Sequence, residues 1–412
     1  MIADFLPRSM PEGRTPVYFF TRNYFPTLTG ATERFRRYLP GLSAKGVDFY
    51  VITSLTDPAL PEVEDTGLER IRRIPVEGAG YTDMEELLLS MLDELKRAAP
   101  GTVQIFGFDP KLRPLVRRIR KFGHRVLLVR TMMPSFQPPL LSLRGIRRTL
   151  RTRLDSASVD RITAGTTVMR DAFSLGSEGL RRKYSIIPHG IDVQRFRPLD
   201  DEAGKARLRQ ELGLATDAFT VLSVGSVMER KRTHLIVEAF QLLNAVEPNS
   251  QLVIVGENKV RDTLAVDSHR DSFSRYCDRV SAAATKCSPG SVVFTGEVDN
   301  VEAYYQAADV FAFTSAVEGM PNAVIEAMAS GLPCVVTPFS GLPKTEFGGQ
   351  GREFILSSDQ PSAISNEILQ LISDRDRRSE IGSAARRFAQ SKLASASAIN
   401  GYAEIYHGAV LI

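Results

Sequence analysis

The stretch from Thr314 to Glu346, TSAVEGMPNAVIEAMASGLPCVVTPFSGLPKTE, constrains this chain more than any other. The apolar run just ahead of it, Val310–Phe313, reads as a short buried strand. A loop carrying Glu318 follows, then a helical pattern in which Pro321 suits the first turn, where its missing N–H would be unpaired anyway. Val324, Ile325 and Met328 fall on one helical face, and Glu326 lies roughly opposite Val324 and Met328 at about 100° per residue. Such a helix buries an apolar stripe and still shows a carboxylate to a cleft. Around Gly319, Met320, Pro321 and Asn322 the N–H groups of the helix start and the positive end of its dipole form an anion site. A carboxylate at the mouth, another a turn inside and an anion site between them suit a ligand that joins sugar hydroxyls to phosphate, as a nucleotide sugar does. A pair of solvated glutamates is the competing reading for the spacing alone.

At 412 residues the chain is too long for one ordinary core, so two domains of about 200 residues are the natural division. No run approaches the ~18 apolar residues of a membrane span. The N-terminus, MIADFLPRSMPEGRTP, has neither a cationic start nor an apolar run, and reads as a loose end before the first strand rather than a secretory signal. Cys277, Cys287 and Cys334 lack metal-ligand spacing and read as free thiols of a reducing cytoplasm. The five histidines are scattered and no acidic metal cluster stands out, so no metal and no cofactor is expected.

Apolar runs alternate with helical patterns along both halves, which indicates doubly wound α/β domains. In the first half the runs are Val17–Phe20, Val47–Thr53, Val103–Phe106, Val126–Val129 and Val159–Ala164, with helices expected over Thr32–Leu42 and Glu85–Ala98. In the second half they are Thr220–Val224, Gln251–Gly256, Val292–Gly296, Val310–Phe313 and Cys334–Thr337. The helix His234–Val246 is expected to face inward with Leu235, Ala239, Leu242 and Val246, and Ile399–Val410 reads as a last helix. Between the strand ending at Gly225 and the helix from His234 lies SVMERKR. A strand, a glycine turn and cations before a helix make a phosphate cradle.

Charge is unevenly spread. From Lys111 to Arg153 there are thirteen cations and no acid. Within it, Leu143–Leu154 sets Leu143, Ile146, Leu150 and Leu154 on one side and Arg144, Arg147, Arg148 and Arg151 on another. A basic amphipathic helix of this kind can rest on anionic lipid or take an anionic acceptor, or be a solvated face. Nucleic acid is not expected, since nothing interleaves aromatics with the charge.

EGMPN, EAMASGLP and Ser340-Gly341-Leu342-Pro343 closely resemble the signature of the retaining GT-B glycosyltransferases of family four (glycosyl transferases group 1), whose motif is Glu, seven residues, Glu. The segment IIPHGIDVQRFRP resembles the interdomain segment of that family. The resemblance is strong from Val221 to Glu346 and weak up to Gly190. It implies an α/β GT-B fold, two Rossmann-like domains facing a central cleft: 1–190 on the acceptor side and 191–389 binding the nucleotide sugar. A helix near 390–412 would return to the first domain. It implies transfer of a sugar, with retention, from a nucleoside-diphosphate sugar to a saccharide or lipid-linked acceptor in polysaccharide or glycoconjugate biosynthesis, without metal, in the cytoplasm or at the inner face of a membrane.

By the same resemblance Lys231 and the Met320-Pro321-Asn322 helix start would neutralise the leaving diphosphate. Glu318 would engage the donor sugar, Glu326 the ribose, and the turn at Gly296 the base. Three departures stand out. Ser226 occupies the place of a usual arginine after Gly225, a charge that Arg230 or Arg232 could supply. Gly30-Ala31 replaces a glycine pair beside the acceptor. Arg130-Thr131-Met132-Met133-Pro134 stands where many relatives carry a histidine. His189, beside the Pro188–Gly190 hinge, reads as a packing or hydrogen-bonding residue. The competing readings are a non-catalytic sugar-nucleotide or saccharide-binding GT-B protein, and a GT-B sugar-nucleotide epimerase.

Overall fold

The computed structural model describes residues 5–26, 29–75, 83–133, 142–199, 201–258, 267–343 and 345–408. The chain forms two compact units, Met1–Gly190 with Ser395–Ile412, and Ile191–Ala394. The first unit holds β1 (Thr15–Phe20), β2 (Val47–Leu55), β3 (Val63–Asp65), β4 (Glu69–Pro75), β5 (Thr102–Phe106), β6 (Arg125–Arg130), β7 (Arg161–Ala164) and β8 (Tyr184–Ile186). They make one sheet in the order β3-β4-β2-β1-β5-β6-β7-β8, parallel throughout except at β3–β4. The order reverses between β1 and β5, which is where open α/β sheets leave a crevice at the carboxyl ends of their strands.

The second unit holds β9 (Phe219–Val224), β10 (Ser250–Val255), β11 (Val292–Gly296), β12 (Val310–Phe313), β13 (Cys334–Val336) and β14 (Ile355–Leu356), ordered β11-β10-β9-β12-β13-β14 and all parallel. Its reversal lies between β9 and β12. Both faces are covered, and the two-residue period of the strands divides their side chains between them. Leu222, Val253, Phe311 and Phe313 pack with Phe196, Tyr305 and Met328 on one face. Val221, Leu252, Ile254 and Val310 pack with Phe240 and Ile368 on the other. Cys277 and Cys334 are buried parts of this packing.

The helix Ser395–His407 belongs to the core of the first unit. Tyr402 meets Phe35 edge-on at 4.7 Å, Tyr406 meets Phe49 at 5.7 Å, and Tyr406 Oη donates to Gln104 Oε1 on β5 at 2.6 Å. The expected helix Ile399–Val410 therefore starts earlier, and residues 409–412 lie outside the described ones.

Several expectations need correction. The N-terminal segment is not loose from Phe5 onward: Phe5 and Leu6 are buried, and both backbone N–H groups donate to Glu94 Oε2, at 2.9 and 3.1 Å. The helix expected over Glu85–Ala98 is two, Met84–Ser90 and Leu92–Arg97. They break at Met91, which turns Leu88, Met91, Leu92 and Leu95 all inward. In the helix Thr233–Val246 the buried set is Ile236, Val237, Ala239, Phe240 and Leu243, while Leu242 and Val246 are exposed. A four-residue spacing picked out the wrong edge there, because the helix packs on other helices as well as on the sheet and buries a broad arc. The thirteen-cation run is not one surface. It is divided among the helix Leu112–Lys121, β6 and the helix Leu143–Ser158. Acids outside the run neutralise part of it: Arg113 pairs with Asp155 and Arg120 with Asp160, both at 2.8 Å. The side chains of Arg144 and Arg148 lie outside the described residues.

Packing overrides propensity at Gly382, inside the helix Arg375–Lys392. Glycine in a helix interior is usually worse than alanine by about 1 kcal/mol, yet a Cβ here would sit 2.2 Å from the backbone oxygen of Gly331. Gly382→Ala is expected to lower stability by about 1–3 kcal/mol, as overpacking does. Gly179→Ala, with nothing within 4 Å of its Cβ, should be neutral or stabilising. Urea unfolding midpoints of the two variants check this, and a stabilised Gly382→Ala would contradict it.

Candidate functional site

At the carboxyl ends of the second sheet a row of glycines crosses three adjacent strands. Gly225 follows β9, Gly256 follows β10 and Gly296 ends β11, all at positive φ. Gly225 N–H donates to Val255 O at 2.8 Å and Gly256 N–H to Gly296 O at 2.9 Å. A Cβ on Gly256 would lie 2.5 Å from the Gly225 carbonyl and 2.9 Å from Ser226 N. Glycine is therefore required there by contact as well as by conformation. The result is a shelf of main chain leading to the loop Ser226–Arg232.

That loop contains three consecutive cations, and the structure separates their tasks. Arg232 has left-handed backbone, φ +49°, unusual for a residue with a side chain. Its guanidinium donates to Thr314 O at 2.6 Å, Ser315 O at 3.0 Å, Thr337 Oγ1 at 3.1 Å and Pro338 O at 2.9 Å, tying the loop to the ends of β12 and β13. It is a structural residue and not the replacement for the arginine missing at Ser226. Arg230 and Lys231 turn instead to Glu318. Glu318 Oε1 accepts from Arg230 Nη1 at 2.6 Å, Lys231 Nζ at 2.7 Å and Ser315 Oγ at 2.8 Å. Arg230 also donates to Val317 O at 2.9 Å, and Lys231 Nζ lies 5.3 Å from the centre of the Phe313 ring. Thus Arg230, one of two sequence candidates, stands with Lys231 and Glu318.

Glu318 is buried, and burial pushes its carboxyl group up. Lys231, Arg230 and Ser315 outweigh that and hold it below the ordinary glutamate value. All three donors converge on Oε1. None of these three bonds uses Oε2.

Beyond Glu318 come Gly319, Met320 and Pro321, all buried, then the helix Asn322–Ala329. Pro321 caps this helix with extended backbone, one residue ahead of the first-turn position expected of it. Glu326 is less displayed than its spacing suggested. Only 8% of the residue is exposed, and its Oε2 accepts from the buried Tyr305 Oη at 2.9 Å. Tyr305 carries no local signal of this role, because its partner lies on a different helix. Ser315 and Gly256 were missed as well, although Gly256 ends an apolar run in the same way as Gly225. Among the described residues no three His, Cys, Asp or Glu side chains gather as a metal site would need.

The remaining candidates lie in the first unit. Gly30 and Ala31 begin the helix Gly30–Ala44, two residues ahead of its expected start. Thr29 caps the helix, with Thr32 N–H donating to Thr29 Oγ1 at 3.2 Å. One turn along, Arg34 Nη1 lies 2.7 Å from His189 Nε2. Arginine only donates, so this nitrogen accepts in that contact. His124 is also structural: Gly101 N–H donates to Nδ1 at 3.2 Å and Nε2 donates to Leu95 O at 2.7 Å. Arg130 ends β6 and lies 4.3 Å from the centre of the Phe173 ring. Pro134 lies outside the described residues.

Removing the charge of Glu318 leaves two cations without their anion, so Glu318→Gln is expected to destabilise by about 1.5–3 kcal/mol at neutral pH. The sign of the pH effect follows from the lowered pKa. The contribution is complete above the unfolded glutamate value of about 4.3 and is lost as pH falls towards the lower folded value. Denaturant unfolding of both proteins from pH 7 downward should show the gap closing below about pH 4.3. A constant gap would contradict the clamp.

Residues 204–388 match the family model described as "Glycosyl transferases group 1". Over 199 residues the chain is 28% identical to the Escherichia coli enzyme UDP-Gal:alpha-D-GlcNAc-diphosphoundecaprenol alpha-1,3-galactosyltransferase, covering 47% of this chain and 46% of that one. The match thus spans about half the length of that curated relative. Whole-chain likeness is found among solved structures. Sucrose-phosphate synthase from Thermosynechococcus elongatus superposes with a TM-score of 0.74 at 20% identity, covering 96% of this chain and 98% of that chain. Anabaena HepE in complex with UDP and glucose superposes with a TM-score of 0.70 at 16% identity, covering 95% and 99%. The chain has the GT-B fold, and its residues 204–388, which carry Lys231, Arg230 and Glu318, match glycosyl transferases group 1.

Proposed function

We propose that this protein is a glycosyltransferase that moves a sugar from a nucleoside-diphosphate sugar to a saccharide or lipid-linked acceptor with retention of configuration. The observation that carries the reading is the clamp of Lys231 and Arg230 on Glu318 Oε1, set where the second sheet reverses its strand order. On this reading the glycine shelf receives the base through main-chain groups, Glu326 the ribose, and Glu318 Oε2 a hydroxyl of the donor sugar. Lys231, Arg230 and the start of the helix Asn322–Ala329 hold the diphosphate. The charge that develops on the departing phosphate is then met by cations already in place, the arrangement that stabilises such a transition state most. The acceptor proton passes to that phosphate on the face it leaves. The E. coli relative and HepE support the donor class, since one is named for a UDP-sugar and the other was solved with UDP.

Lys231→Ala and Arg230→Ala should each weaken nucleoside-diphosphate binding by about 1.5–3 kcal/mol. Glu318→Gln should abolish turnover while the nucleotide still binds. Calorimetry with UDP and GDP, followed by NMR of the product anomer, reads both. An inverted product would remove the retaining assignment. A wild-type protein that binds a nucleotide sugar but neither hydrolyses nor transfers it would make this a binding protein.

We further propose that it works in the cytoplasm, at the inner face of a membrane. On the helix Leu143–Ser158, Leu143, Ile146, Leu150 and Leu154 are 46–77% exposed, with Arg147 and Arg151 exposed beside them. An apolar edge flanked by cations suits an anionic bilayer surface. Serine at the four apolar positions should abolish co-sedimentation with phosphatidylglycerol-containing vesicles and leave nucleotide binding intact. Raising salt should weaken the wild-type interaction, because exposed charges are screened over ~8 Å at physiological strength. Wild-type protein that ignores such vesicles at low salt would refute docking.

A further inference from the structure

The first unit contains a cavity of about 440 Å³ bordered by Phe108, Arg130, Arg147, Arg151, Asp155 and Phe173. Its wall is built at the carboxyl ends of adjacent strands: Phe108 just beyond β5, Arg130 the last residue of β6, and Phe173 on the helix that follows β7. Open α/β sheets bind ligands on that edge.

The cavity holds more positive charge than it neutralises. Asp155 is its one carboxylate, and it is already engaged by Arg113 at 2.8 Å. Arg151 reaches Asp155 only at 3.8 Å and Asp109 at 3.7 Å. Arg130 has no carboxylate partner among the described residues, and its Nε is sealed from solvent with no hydrogen-bond partner. Burial works against its charge, and Tyr184 and the more distant Asp155 oppose that only in part. A guanidinium in such a place is costly unless an anion joins it. Three guanidinium groups exceed the single charge of a carboxylate and suit a phosphate, which carries about two charges at neutral pH. Phe108 adds an apolar wall for a sugar ring, while the Phe173 ring already faces the Arg130 guanidinium at 4.3 Å.

We propose that this cavity binds a phosphate group of the acceptor, so that the acceptor is a phosphorylated saccharide or a saccharide linked to lipid through phosphate. The proposal rests on the glycosyltransferase reading for the word acceptor, but the anion site itself stands on the cavity alone.

The test uses the full chain and calorimetric titration with inorganic pyrophosphate, glucose 1-phosphate and, in detergent micelles, farnesyl diphosphate. Arg147→Ala with Arg151→Ala, both exposed positions, should weaken phosphate binding by about tenfold or more. Arg130→Lys, which keeps the charge and loses the planar fork, should do the same. Lys231→Ala should leave this event in place while weakening UDP binding. Tighter binding of the lipid diphosphate than of glucose 1-phosphate assigns a lipid-linked acceptor, and equal binding a soluble one. Phosphate binding that ignores all three arginine substitutions overturns the proposal, as does binding of none of the probes. Should wild-type protein fail to bind UDP or GDP while phosphate binding still tracks Arg130, the donor assignment fails and the anion site stands.

Discussion

Strands β9 and β12 are paired over only two residues, Val221 with Val310 and Leu222 with Phe311. The meeting of Lys231 and Arg230 with Glu318 in the second unit depends on that short union. A ladder so brief needs to be held at both ends. At the base, Asp309 accepts from Lys205, from Arg209 Nη2 at 2.6 Å and from Thr220 N–H at 2.7 Å, while its own N–H donates to Thr220 O at 2.9 Å. Burial pushes that carboxyl group up, yet Lys205 and Arg209 bring it below the ordinary aspartate value. At the top, Arg232 laces the loop after β9 to the loop after β12. Between these two fastenings Lys231, Arg230 and Glu318 can meet without a continuous ladder beneath them.

The triplet Arg230-Lys231-Arg232 shows what a linear reading resolves and what it leaves open. A glycine turn with cations ahead of a helix was visible as a phosphate cradle, because each requirement is local. Which cation faces the site was not visible, since it depends on the left-handed backbone of Arg232 and on carbonyls some eighty positions away. Likewise the strands of both sheets could be read from their apolar runs, whereas the short or polar β3, β4, β8 and β14 could not. Their place is set by pairing with neighbours rather than by their own pattern.

Errors in the reading share one cause. Leu242 and Val246, the continuous helix through Met91 and the free N-terminus were all inferred from segments taken alone. In the folded chain each is decided by what lies across from it: neighbouring helices, a hydrophobic face turning at Met91, and the carboxylate of Glu94. Glu326 followed the same rule. Its helical position was foreseen, but the hydroxyl of Tyr305 that holds it belongs to another element.

The first unit is completed by the helix Ser395–His407. Tyr402 and Tyr406 fill the core that Phe19, Phe35 and Phe49 begin, and Tyr406 reaches Gln104 on the inner strand β5. A ribosome therefore delivers this piece of the first-made unit only after all of Ile191–Ala394 has emerged. The usual order of birth, in which domains fold from the N-terminus as they appear, is inverted here. The uninterrupted second unit can close first, and the nascent first unit stays open along one flank, a natural client for chaperones until the helix Ser395–His407 emerges.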